Sequence, residues 1–155
     1  MKNQVSLMAF LCLLILTCCQ QGNKQPESYK TDVCNELSQM TVKFFDAWAK
    51  EDLDSCMSFI ASDFINMWSS GSTAKYEQSR ESNKNLFDNF IVKDVKYERT
   101  ECMVDKDMAF EVGVFEQTLI SNDGKDTIPN KVRGMTVFKK QEDGSWKQFR
   151  LIVQQ

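Results

Sequence analysis

Between Val33 and Trp48 the apolar positions are Val33, Leu37, Met40, Phe44, Phe45 and Trp48, spaced by four, three, four, one and three residues. That spacing puts them on one face of an α-helix with a period of 3.6 residues. Thr31 or Asp32 can cap this helix, which runs to about Lys50. Asp52 can cap a second, short helix carrying Leu53, Cys56, Met57 and Ile60 on one side. The segment Asp63-Phe64-Ile65-Asn66-Met67-Trp68 reads as a short strand, broken by Ser69-Ser70-Gly71-Ser72. Ser72 or Thr73 then opens a third, more polar helix through Tyr76, Arg80 and Asn83 to about Phe87.

Beyond residue 90 the period changes from 3.6 to 2. Four strands follow: Ile91 to Val104, Met108 to Ser121, Ile128 to Gln141 and Trp146 to Val153. The links are short: Asp105-Lys106-Asp107, Asn122-Asp123-Gly124-Lys125 and Glu142-Asp143-Gly144-Ser145. Asp-Gly accepts the positive φ that hairpin turns need. Pro129 suits an edge or the start of a strand. Helices followed by an antiparallel meander predict an α+β domain, with one sheet face covered by the helices. Long twisted strands would curl around the first helix and leave a cone with an apolar pocket.

The pattern before residue 31 is different. Lys2 precedes an apolar run from Val5 to Leu16, about twelve residues long, whereas a bilayer span needs roughly twenty. A short apolar run behind a basic residue is the secretory signal pattern. Leu16-Thr17-Cys18-Cys19 resembles the bacterial lipobox, an aliphatic residue and two small ones before a lipidated cysteine. Cys19 fits with Leu16 at −3, and Cys18, with Ile15 at −3, is the alternative. Residues 1–18 are therefore expected to be a lipoprotein signal peptide and 19–32 a lipidated, flexible tether, with the folded domain at 33–155. The expected address is the bacterial cell envelope, on the periplasmic or outer-membrane face, with the membrane engaged through the N-terminal lipid.

Without residues 1–18, 18 basic residues face 22 acidic ones, a mildly acidic net −4 with no basic stripe. Nucleic acid is not an expected partner. About 125 residues after the tether are enough for one core. Cys34, Cys56 and Cys102 remain in the domain. Cys34 and Cys56 could bridge adjacent helices, or all three could be small buried hydrophobes. There is no histidine and no CxxC pair, which removes the commonest metal ligand and the commonest neutral-pH base. No metal or cofactor is expected.

The run FFDAWAKEDLDSCMSFIASDFINMWSSG resembles the opening of the SnoaL-like, DUF4440-type branch of the nuclear transport factor 2 (NTF2) and ketosteroid isomerase superfamily. The later RGMTVFKK and DGSWK segments look similar too, and the resemblance spans about residues 33–154. It implies an NTF2-like cone, with the N-terminal helices packed on a strongly curved antiparallel sheet. It also implies possible homodimerisation through the open sheet face. In the isomerases of this superfamily a carboxylate base would lie five residues after Asp63, and here that position is Trp68, which cannot take a proton. The resemblance further places Gln148, Arg150 and Ile152 inward on the last strand.

Candidate chemistry is thin. Glu116, among Val114, Phe115 and Leu119, would have a raised pKa in an apolar pocket and could act as acid or base. Its plainer placement is the solvent side of the sheet. Asp63 is a weaker catalytic candidate and a better cap or turn residue. Trp48, Trp68, Tyr76, Tyr97 and Arg150 are candidate pocket residues, Arg150 toward an anionic ligand or a buried acid. Arg133 is expected to pair across strands with Glu116 or Glu111. The expected function is a membrane-tethered, non-catalytic module that binds an apolar small molecule or a protein partner. The alternative is a SnoaL- or ketosteroid-isomerase-like enzyme using a cavity carboxylate as acid/base.

Overall fold

The computed structural model describes residues 25–154. The expected signal peptide, both candidate lipidation cysteines and most of the expected tether lie outside the described residues. Helix α1 spans Glu27–Ala49 and α2 spans Leu53–Ser58, followed by strands β1 (Ile60–Trp68) and β2 (Thr73–Lys75). Helix α3 (Tyr76–Asn89) leads into β3 (Phe90–Asp105), β4 (Met108–Ser121), β5 (Thr127–Lys140) and β6 (Trp146–Gln154). The six strands form one sheet in the order β2-β1-β6-β5-β4-β3. All its pairings are antiparallel except β1 with β6, which run parallel. The short strand therefore joins the meander's sheet as a neighbour of the final strand, and the sheet is mixed. Helices on a curved, unclosed sheet make the expected α+β cone.

Element boundaries differ from the periodicity reading in several places, and Ile60, expected on the short helix, instead opens β1 three residues ahead of Asp63. Helix α1 begins at Glu27, so the last residues of the expected tether are helical. Tyr29 explains this, because its ring packs on the core cluster and adds apolar contact one turn early. Strand β2 was not expected, since three residues are too few to show a period. Helix α3 consequently starts at Tyr76, where the Gln78 side chain accepts from the Lys75 N–H at 2.9 Å. The hairpin turns stand where Asp-Gly placed them, with Gly124 at φ 73° and Gly144 at φ 85°.

One face of α1 has two roles. In its first half Val33 and Leu37 join Val104, Ala109, Phe138 and Trp146 in a core cluster. Leu37 is fully buried, which contributes roughly 2 kcal/mol. In its second half Phe44, Phe45 and Trp48 turn toward an open space. A second cluster, Met57, Ile60 and Phe64, closes the other side, with Tyr76 and Leu151 packed against it.

Bulges shape the long strands. In β3 the register shifts between Lys93 and Lys96, where Asp94 has φ 52°, and again between Arg99 and Glu101. Each extra residue bends the strand and raises its twist. In β6, Gln148 pairs with Phe138 but Arg150 pairs with Val137, so Phe149 is the extra residue.

The cysteines pair differently from either expectation. Cys34 of α1 is disulfide-bonded to Cys102 of β3, 68 positions away. Cys56 is free and buried, with its thiol near the Phe44 carbonyl, and burial pushes that thiol up to about 12. The curl of β3 over α1 brings Cys102 to Cys34, while Cys56 faces the far end of the helix.

Candidate functional site

Between the two clusters lies a cavity of about 340 Å³. Its floor and one wall are aromatic. Phe45 stacks between Tyr97, with centroids 5.0 Å apart, and Phe115, at 4.8 Å. Trp48 packs edge-on to Phe87 at 4.9 Å, and its indole N–H donates to Gln117 Oε1 at 2.8 Å. That bond fixes the ring, since Gln117 is itself buried. Trp68, at the position where the superfamily's isomerases would carry a base, lines the opposite side with Phe64.

Gly113 makes room for the floor. A Cβ there would sit 2.5 Å from the Tyr97 hydroxyl and 2.6 Å from two of its ring carbons. Behind the floor is a charge that the cavity does not touch. Glu111 is buried, with its side chain fully enclosed. It accepts from the Thr41 hydroxyl at 3.0 Å and from Arg99 Nη1 at 3.1 Å. The same Arg99 nitrogen donates to the Cys34 carbonyl at 2.6 Å. Burial, and then the neighbouring Glu111, push the Tyr97 phenol well above its ordinary pKa, so it is a neutral donor.

The lining groups that are polar are neutral. Thr41, Asn66, Ser79, Ser82, Asn83, Asn130, Thr136 and Gln148 contribute them, and among the described residues no lysine, arginine, aspartate or glutamate lines the cavity. Two of these groups are buried without a hydrogen-bond partner among the described residues, Asn66 Oδ1 and Ser79 Oγ.

The candidate residues divide accordingly. Trp48, Trp68 and Tyr97 line the cavity, and Tyr76 sits behind it against Met57, Ile60 and Phe64. Glu116 is not a cavity carboxylate. It faces the outer side of β4, 2.5 Å from Lys131 Nζ, and that ammonium holds its carboxyl below the usual range. Asp63 does not cap a helix and is not among the residues lining the cavity. It lies in the middle of β1, exposed, 3.5 Å from Lys139 Nζ. Arg150 is turned away from the cavity by the Phe149 bulge, which inverts the alternation so that Gln148, Leu151 and Val153 face inward. Its guanidinium instead stacks 3.5 Å above the Phe149 ring and donates to the Asp63 carbonyl at 2.9 Å. Ile152 points outward for the same reason and is 40 % exposed. Arg133 stands opposite Val114, while Glu116 pairs with Lys131 and Glu111 with Arg99. Asn66, Ser79 and the Glu111–Arg99 pair escaped the sequence reading. Only the shared parity of residue 111 with Ala109 and Phe115 hinted at the last.

A SnoaL-like domain profile matches residues 41–149, most of the chain and all of the cavity-lining elements except the start of α1 and the end of β6. The chain belongs to the SnoaL-like domain family. Solved structures agree on the fold of this SnoaL-like domain. A ketosteroid isomerase-like protein from Erwinia carotovora atroseptica superposes with a TM-score of 0.65 at 19% identity, covering 76% of this chain and 91% of its own. A conserved protein from Planctomyces limnophilus gives 0.68 at 16% identity, over 78% and 95%. An NTF2-like protein from Cytophaga hutchinsonii gives 0.65 at 18% identity, over 77% and 95%. At these identities the likeness concerns fold alone. No curated protein matches the sequence.

Proposed function

We propose that this chain is a membrane-tethered lipoprotein whose SnoaL-like domain binds a small, uncharged, largely apolar molecule without transforming it. The observation that carries the reading is the cavity's lining: aromatic and aliphatic walls, neutral polar groups and, among the described residues, no charged side chain. A site of this size and character suits a small ligand rather than a peptide. Acid–base chemistry needs a group that titrates near the working pH. Among the described residues the one titratable group in the lining is Tyr97, whose pKa is raised away from that range. The carboxylates Glu116 and Asp63 are on the outer surface, and Glu111 is held by Arg99 and Thr41 behind the floor.

Native mass spectrometry of the chain purified from its source tests the binding half. The expected result is a folded species carrying a neutral small molecule that is released on denaturation. That molecule should be recovered unchanged after prolonged incubation with excess protein. A ligand-free species, with no thermal shift from any neutral aromatic compound, would count against the reading, and turnover of the molecule would replace binding by catalysis.

The envelope address draws support from the Cys34–Cys102 disulfide, because structural disulfides persist in oxidising compartments outside the cytosol. It also draws on Cys19 following Leu16-Thr17-Cys18. Cys19→Ala is expected to abolish fatty-acid labelling and leave uncut precursor. Labelling that persists would move the anchor to Cys18 or remove the lipoprotein reading.

A further inference from the structure

Two buried polar atoms in the cavity have no partner among the described residues, and both are held there by elements that cannot easily relax. Asn66 lies in β1 between the partners Ala74 of β2 and Leu151 of β6, so its backbone is clamped on both sides. Its Oδ1 is buried and unpaired. Ser79 lies in the second turn of α3 and is only 6 % exposed. A helical serine ordinarily turns its hydroxyl back to a carbonyl one turn earlier. The Ser79 hydroxyl makes no hydrogen bond. Buried polar groups in folded proteins are nearly always paired, so two orphans lining one cavity call for a common explanation.

The rest of the lining defines what could satisfy them. Trp48, Phe45, Phe115 and Trp68 present ring faces and edges to the cavity. Among the described residues no charged side chain lines the cavity to neutralise an ionic ligand, and moving an unpaired charge from water into such a site is strongly unfavourable. Asn66 Oδ1 accepts, and the Ser79 hydroxyl both donates and accepts. A ligand hydroxyl, which also donates and accepts, complements both.

Resting on the binding reading above, we infer that Asn66 and Ser79 form the polar end of the cavity and select a neutral ligand with an aromatic or flat alicyclic body and a single alcohol-like group. The hydroxyl donates to Asn66 Oδ1 and accepts from Ser79, while the ring body lies against the Phe45–Phe115–Trp48 wall. The two residues act as specificity determinants: they contribute little to holding the apolar body and most of the discrimination between an alcohol and its hydrocarbon analogue. A site built to hydrogen-bond a hydroxyl rejects the analogue that lacks it, because its own polar groups then stay unpaired.

The test uses the full chain and two probes of nearly equal shape, 1-naphthylmethanol and 1-ethylnaphthalene, with dissociation constants from ligand-observed NMR. The quantity read is the ratio of the two constants, compared between wild type and variants, so the differing hydration of the probes cancels. In Ser79→Ala and in Asn66→Leu the preference for the alcohol is expected to fall about tenfold each, as for loss of one hydrogen bond. Ethylnaphthalene should bind as well as before or better. Thermal unfolding of each ligand-free variant controls for folding, and Ser79→Ala should be no less stable than wild type because it deletes an unpaired hydroxyl. An unchanged ratio in both variants, with both probes still bound, overturns this inference and leaves the binding reading standing. Failure of wild type to bind either probe overturns the binding reading and this inference with it.

Discussion

Glu111→Ala is expected to destabilise the protein by about 3–5 kcal/mol, the range for removing one partner of a buried ion pair. The Glu111 side chain is fully enclosed and that of Arg99 only 29% exposed. Removing the carboxylate strands the guanidinium beside the Cys34 carbonyl, leaves the Thr41 hydroxyl without its acceptor, and opens a void under Tyr97. Urea denaturation followed by tryptophan fluorescence measures the loss. The paired replacement Arg99→Leu with Glu111→Leu should recover much of it, since two apolar side chains leave no uncompensated charge. If the double variant is as unstable as Glu111→Ala, the cost lies in packing and not in the stranded charge.

Breaking the Cys34–Cys102 disulfide is expected to have a comparable effect. The bond closes a loop with a sequence separation of 68. In the chain-entropy description such a loop corresponds to about 4 kcal/mol of lost unfolded-state freedom. Replacing both cysteines with alanine should therefore lower the denaturation midpoint markedly, and a reductant should do the same to the wild-type domain. A midpoint unmoved by either would mean that the bond adds nothing to the closure of β3 on α1. The two sites are also neighbours, because Arg99 donates to the carbonyl of the bonded Cys34. Their losses are expected not to add, since residues sharing one hydrogen-bond network couple.

Much of the fold was legible from periodicity. The apolar face of α1, the switch to a period of two after residue 90 and the Asp-Gly hairpins all stand as the sequence indicates. Trp48, on the apolar face of α1, and Trp68 and Tyr97, large rings on strands of the curled sheet, line the cavity between helix and sheet. Arg150 was misplaced by a single residue: Phe149 is a bulge, and one extra residue in a strand turns every later side chain to the opposite face. Glu116 lies on the solvent side, its plainer placement, but the enclosed acid Glu111 was not legible because β4 is apolar on both faces. Phe110, Val112 and Val114 line one side, and Ala109, Gly113 and Phe115 the other. Alternation alone then cannot say which of Glu111 and Glu116 is enclosed.

Local pattern therefore determined the longer elements, their order and the presence of an apolar cone, because helix and strand periods are properties of neighbours along the chain. Tertiary structure decided what the cone contains. It placed β1 parallel to β6, joined Cys34 to Cys102, and sent Glu111 inward and Arg150 outward. It also left Asn66 and Ser79 unpaired inside. Each of these depends on sheet register and on where bulges fall, and those are settled by packing between segments far apart in sequence.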